Sequence, residues 1–207
     1  FAKIGTEKSK GTKLLSVSGD CRKPGIYEVE FGMTVDQLLA ECDGKGAMAV
    51  QVGGPSGSCI DRSKFGQKIC FDELATGGSM IIIGPDRNLL EIVHNFMEFF
   101  VEESCGWCTP CRAGNKILLQ KLEKIMHGHG TATDLKELEE WCLITKNMSR
   151  CGLGQTSPNP IYTTIRNFRG VYEEKLQKGD FATEFDMAAA VKDSCKAAGR
   201  KPNVEGH

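Results

Sequence analysis

Apolar and polar residues follow two different rhythms along this chain, and the change falls near residue 88. Up to Ile83 the apolar runs are short and suit strands. Leu14-Leu15-Ser16-Val17-Ser18 is a strand candidate, and Pro24-Gly25 is a turn. Ile26-Tyr27-Glu28-Val29-Glu30 then alternates apolar and charged positions, as a half-buried strand does. Thr34 caps a helix through Val35, Leu38 and Leu39, whose spacing sets all three on one face. Met48-Ala49-Val50-Gln51-Val52 and Met80-Ile81-Ile82-Ile83 follow as strands. This order predicts a β-grasp (ubiquitin-like) unit over residues 13–86, with residues 1–12 as a linker.

From Asn88 the period is helical. Leu89, Val93, Phe96 and Phe100 form a stripe that Ile92 and Phe99 widen. A second helix, with Pro110 at its first position, presents Leu118, Leu122, Ile125 and Met126, and stops near Gly128-His129-Gly130. Thr133 is the expected cap of a third, with Asp134 and Glu137 in its first turn and Leu135, Leu138, Cys142 and Thr145 on one face. Asn159-Pro160 opens a fourth through Ile161, Ile165, Phe168, Tyr172 and Leu176. Four amphipathic helices on short loops predict a four-helix bundle over residues 87–178. Residues 179–207 are left as a tail with a short helix from Met187 to Ala198. The fold class expected is therefore α+β, a β-grasp domain followed by a helical bundle.

Composition narrows the function. A formal net charge of −1 over 207 residues gives no concentrated basic surface for gripping nucleic acid. Ten cysteines, with neither a secretory signal nor an 18-residue apolar run, suit a reducing cytoplasm without membrane insertion. A chain opening on Phe1 reads as a piece of something longer. There is no Ser-His-Asp set, no HExxH and no dinucleotide fingerprint, so the chain is not expected to transform a substrate by itself.

The chemistry gathers at Glu103-Ser104-Cys105-Gly106-Trp107-Cys108-Thr109-Pro110-Cys111-Arg112-Ala113-Gly114. Three thiols spaced C-x2-C-x2-C crowd one turn, and 39 residues separate Cys111 from Cys151, in Ser149-Arg150-Cys151-Gly152-Leu153-Gly154. A cubane whose irons each take one thiolate needs such a set, so Cys105, Cys108, Cys111 and Cys151 are the candidate ligands of one [4Fe-4S] cluster. The first three precede the second helix and Cys151 follows the third. Antiparallel neighbours would bring those two ends together. Arg112 and the positive end of the helix behind Pro110 favour an anionic cluster and would raise its potential, and Trp107 is a candidate to shield it from water or to pack on the bundle.

Two other readings stand beside this one. A zinc scaffold would also use four thiolates, but such sites usually show two separated C-x2-C pairs. A ligand-binding β-grasp module supported by the bundle would need a large, apolar, convergent pocket. The loop Gly53-Gly54-Pro55-Ser56-Gly57 lacks a phosphate-binding pattern and reads as a turn. Cys21, Cys42, Cys59, Cys70, Cys142 and Cys195 have no ligand spacing and read as small buried hydrophobes. His127 and His129 suit a helix C-terminus, and Lys121, Lys124 and Lys136 a solvated helix face.

The string Glu-Ser-Cys-Gly-x-Cys-x-Pro-Cys-Arg-x-Gly, followed by Cys-x-Leu-Gly, resembles the cluster-bearing part of one subunit family. Its members are the flavin- and NADH-binding subunit of bacterial respiratory complex I, the large diaphorase subunit of NAD-reducing hydrogenases and the beta subunit of NAD-dependent formate dehydrogenases. The continuation Gly152-Leu153-Gly154-Gln155-Thr156-Ser157-Pro158-Asn159-Pro160 is more similar to the hydrogenase and formate dehydrogenase branch. The resemblance runs from Gly5 to about Leu176. It implies a soluble-ligand-binding β-grasp domain, a [4Fe-4S] cluster on the four cysteines, and iron-sulfur subunits as partners. It also implies an upstream flavin domain that would hold FMN and NAD(H), so none of their ligands is assigned here.

Overall fold

The computed structural model describes residues 1–177 and 187–200. Residues Phe1–Gln177 make one compact unit and residues 178–207 a second.

A hairpin of β1 (Thr12–Gly19) and β2 (Gly25–Glu30) begins the sheet, with Leu15 opposite Tyr27 and Lys13 opposite Val29. β5 (Ser79–Ile83) lies parallel to β1 on its other side, and β3 (Ala49–Val52) and β4 (Ser58–Asp61) continue antiparallel. The order is β2-β1-β5-β3-β4 in one mixed sheet. Period-2 alternation sends Leu15, Val17 and Val29 to one face, where they bury against Val35, Leu38 and Leu39 of α1 (Val35–Glu41). Thr34 caps that helix as expected, in a reciprocal box with Gln37.

The opposite face is covered over β3, β4 and β5. There Ala49, Cys59 and Ile83 meet Leu89 and Ile92 of α2 (Leu89–Glu103) and Phe168 of α6 (Asn159–Glu173). α6 also saturates the outer edge of β4: Cys59 N–H donates to Thr163 Oγ1 at 3.1 Å, and Asn167 Nδ2 donates to the Cys59 carbonyl at 2.6 Å. That pairing explains why β4 has no sequence signal of its own. Four residues have no useful period, and their strand is made by neighbours that are distant in sequence.

α3 (Thr109–Met126) and α4 (Ala132–Met148) pack with α2 and α6 around Leu90, Val93, Met97, Leu118, Leu122, Leu138, Ile161 and Tyr172. Several sequence expectations shift in register. The buried stripe of α2 runs through Leu90, Val93, Met97 and Phe100, with Phe96 only half-buried and Phe99 44% exposed, because aromatic size does not decide which of two adjacent faces turns inward. α4 is capped by Thr131, not Thr133, because Asp134 falls at its third position and closes a reciprocal box. Pro110 is the second residue of α3, behind Thr109, and Cys108 is the N-cap. A short helix, α5 (Gly152–Thr156), precedes α6, and α6 kinks at Phe168.

Lys121 and Lys124 are not a free solvated face. Lys121 pairs with Glu137, and Lys124 donates to Asp134 at 2.7 Å, which ties α3 to α4. Burial pushes the Asp134 carboxyl up, yet Lys124 and the N–H and hydroxyl of Thr131 outweigh it and hold the group at about 2. Lys136, at 77% side-chain exposure, does remain on a solvated face. His127 Nδ1 lies 2.8 Å from the Glu123 carbonyl at the α3 C-terminus, the role expected there. In the second unit α7 spans Met187–Ala197; of the expected tail, residues 179–186 and 201–207 lie outside the described residues.

Candidate metal centre

α2 ends at Glu103, and the chain turns through Ser104 to Trp107 before α3 begins. Gly106 makes the turn at φ +75°, in the left-handed region that a side chain disfavours. Arg112 Nη1 donates to the Gly106 carbonyl at 2.6 Å and pins the loop to the first turn of α3. From the other side α4 ends at Met148, and Cys151 caps α5. Both Cys108 and Cys151 are N-caps without a side-chain capping bond.

The two chain segments meet around one cavity of about 90 Å³, lined by Glu103, Ser104, Cys105, Trp107, Cys108, Cys111, Cys151 and Leu153. All four candidate cysteines face it. Cys111 is buried, Cys108 half-buried, and Cys105 and Cys151 exposed, so the site sits at the surface with an inner and an outer side. Trp107 lines the cavity but is 77% exposed, hence it does not pack on the helices. Arg112 is exposed and acts on the loop, not on the cavity wall.

The inner sulfurs are surrounded by donors. The backbone N–H groups of Arg150 and Cys111 hold the Cys108 thiol below its usual range. The Ser149 hydroxyl helps, although it is buried and makes no hydrogen bond of ordinary geometry. Cys111 Sγ lies 3.2 Å from Ser104 Oγ and 3.5 Å from Asn115 Nδ2. Neither Asn115 nor the packing glycine Gly154 carries a signal in the cysteine spacing; the i+4 offset from Cys111 was the one available hint to Asn115.

A redox cluster and a single ion ask different things of four thiols. With Zn–S at 2.3 Å, tetrahedral zinc needs its sulfurs about 3.8 Å apart. Among the described residues no three His, Cys, Asp or Glu side chains converge on one metal ion. The apolar walls and the donors aimed at sulfur fit a polynuclear core.

The remaining cysteines behave as small hydrophobes. Burial pushes the Cys59 thiol up to about 12 and that of Cys142 higher still, while Cys21 and Cys195 are half-buried. The wide groove beside the sheet, about 770 Å³, is lined by Asp20, Arg22, Asp43 and Arg87. It is open and charged, and Asp20 and Arg87 satisfy each other at 2.8 Å, so it is not the apolar convergent pocket a ligand-binding module requires. The Gly53–Gly57 segment is a turn between β3 and β4, held by Asn159 Nδ2 on the Ser56 carbonyl at 2.7 Å.

Residues 91–175 match the family described as the NADH-ubiquinone oxidoreductase-F iron-sulfur binding region. The chain is similar to the NAD-reducing hydrogenase HoxS subunit alpha of Cupriavidus necator, 46% identical over 92% of this chain and 32% of that one. It is also similar to the NADP-reducing hydrogenase subunit HndC of Solidesulfovibrio fructosivorans, 37% identical over 84% of this chain and 38% of that one. A crystal structure of an NAD⁺-reducing [NiFe]-hydrogenase in the H2-reduced state superposes with a TM-score of 0.83 at 34% identity, covering 98% of this chain and 36% of that one. The chain thus spans about a third of the length of these relatives. Over residues 91–175 the chain carries the NADH-ubiquinone oxidoreductase-F iron-sulfur binding region, within a stretch similar to part of the subunits of these hydrogenases.

Proposed function

We propose that this chain is an electron-relay module in which Cys105, Cys108, Cys111 and Cys151 hold one [4Fe-4S] cluster. The observation that carries the reading is the convergence of two segments, 39 residues apart, on one thiol-lined cavity. When bound, such a cluster takes up and releases one electron at a time. The chain's residues do the rest. Cys111 and Cys108 anchor the inner side, where N–H donors balance the negative charge of thiolates. Cys105 and Cys151 lie at the surface, within reach of a docked protein. In a longer protein of the relatives' size, the electrons would come from NADH through FMN in an upstream domain and pass to iron-sulfur centres of partner subunits in the cytoplasm; hydrogenase relatives would run the flow toward NAD.

The rest of the fold supports the same reading. The strand order β2-β1-β5-β3-β4, with one helix after the first hairpin, is that of a β-grasp domain over residues 13–86. We read α2, α3, α4 and α6 as a four-helix bundle with the site at one end, a reading that their shared core supports. No helix among the described residues is long and apolar enough to cross a membrane.

An anaerobic reductive titration tests the relay. The loaded chain is expected to take one electron per chain from dithionite, bleach its broad absorption near 400 nm and recover it on reoxidation. Uptake of no electrons, from a colourless chain, would leave a scaffold and no relay.

A further inference from the structure

Asn115 is a fully buried polar side chain to which the cysteine pattern gives no role. It lies four residues after Cys111 on α3, so the two share a face. Helical side chains lean toward the N-terminus, which carries the Asn115 amide back over the Cys111 sulfur. That thiol stands in for the thiolate a metal-bound cysteine presents. Nδ2 donates to Cys111 Sγ at 3.5 Å and to the Phe100 carbonyl at 3.4 Å. The carbonyl only accepts, so the NH2 end must face it, and the same end then faces the sulfur.

The other end of the amide is held too. Oδ1 accepts from the hydroxyl of Ser157, also fully buried, at 2.7 Å, and the Gly154 carbonyl shares that proton at 3.0 Å. Asn115 therefore spans from the chain following α5 to the end of α2, with Cys111 between. Ser104 adds a second donor: its Oγ accepts from Gly106 N–H at 3.4 Å, which leaves its own proton for Cys111 Sγ at 3.2 Å.

We propose that Asn115, held in place by Ser157, is a positioning residue that aims an N–H at the Cys111 sulfur and raises the reduction potential of the cluster. The inference rests on the reading that Cys111 is a ligand. One-electron reduction adds negative charge that spreads onto the thiolate sulfurs. A fixed donor stabilises the reduced state more than the oxidised one, and the effect is large in a buried site that water cannot re-solvate. Ser157 contributes by removing the alternative orientation, in which the carbonyl end of the amide would face the sulfur.

The test uses the whole chain, loaded anaerobically, with iron and sulfide measured first and the potential then followed by electron paramagnetic resonance. Asn115→Leu is close in size and has no donor. It should load normally and show about a tenfold lower reduced-to-oxidised ratio at a fixed potential, equivalent to about 59 mV downward for one electron. Ser157→Ala, which keeps the amide but frees it, should fall in the same direction by less. Normal loading of Asn115→Leu with a ratio within about twofold of the unaltered chain would overturn the inference alone. If Asn115→Leu does not load, Ser157→Ala decides, a lowered potential supporting the inference and an unmoved one overturning it. An unaltered chain that binds no iron and sulfide overturns this inference together with the reading beneath it.

Discussion

Cys151→Ser is expected to abolish cluster loading, from about four irons per chain to less than one, while Cys142→Ser leaves it unchanged. Iron and acid-labile sulfide assays on anaerobically prepared variants check this. The two residues make a stringent pair because both are cysteines in the helical part of the chain. Cys142 is 1% exposed among Leu138, Ile161 and Tyr172, its thiol pushed well up by burial, so it has neither the access nor the ionisation a ligand needs. Cys151 is exposed at the start of α5 and lines the cavity that Cys105, Cys108 and Cys111 also face. Serine in its place keeps the fold but substitutes a poor, rarely ionised ligand for a thiolate. Equal loss from both variants would mean that the helical core around Cys142 governs loading.

The second large effect comes from a residue that binds nothing. Gly154→Ala is expected to lower stability by about 1–3 kcal/mol and to reduce iron content with it. A methyl group there would stand 2.6 Å from Ser149 Cβ, 2.7 Å from its Oγ and 3.1 Å from Cys111 Cβ. Ser149 stands two residues before Cys151 and Cys111 lies in the first turn of α3, so relieving the clash shifts α5, and Cys151 with it, relative to both. Gly170→Ala is the control. It lies in α6 with open space around its Cα, and there the usual helical gain of about 0.5–1 kcal/mol should appear instead. Chemical denaturation of both variants, paired with iron analysis, separates the two. A Gly154→Ala protein at least as stable as the unaltered chain would show that α5 is not fixed against Cys111.

How much of this was legible in the sequence depended on how local each cause is. The cysteine turn, the Pro110 helix start and the Thr34 cap are set by residues within a few positions, and they appear in the structure where or within one residue of where spacing put them. The meeting of Cys151 with the other three followed from counting antiparallel helices, which is topological and also readable. What escaped was set by tertiary contact. β4 exists because α6 completes its edge, and Met97 displaces Phe96 from the core because of what α2 faces. Thr133 was the expected cap, and the reach of the Asp134 carboxylate back to Thr131 decides against it. Arg112 was read as a charge beside the cluster, and spacing did not reveal that its guanidinium also donates to the Gly106 carbonyl. Asn115 and Ser157 bond across 42 residues of sequence, a distance at which no local pattern announces a pair.

The central claim is that four thiolates from two segments enclose one polynuclear iron-sulfur core. Mössbauer spectroscopy on the iron-57-loaded chain, with zinc and sulfide assayed on the same sample, tests it most directly. The account predicts four irons and four sulfides per chain, all the iron in one exchange-coupled, tetrahedral thiolate-ligated species, with negligible zinc. One zinc per chain without sulfide, or iron in uncoupled mononuclear sites, would contradict it.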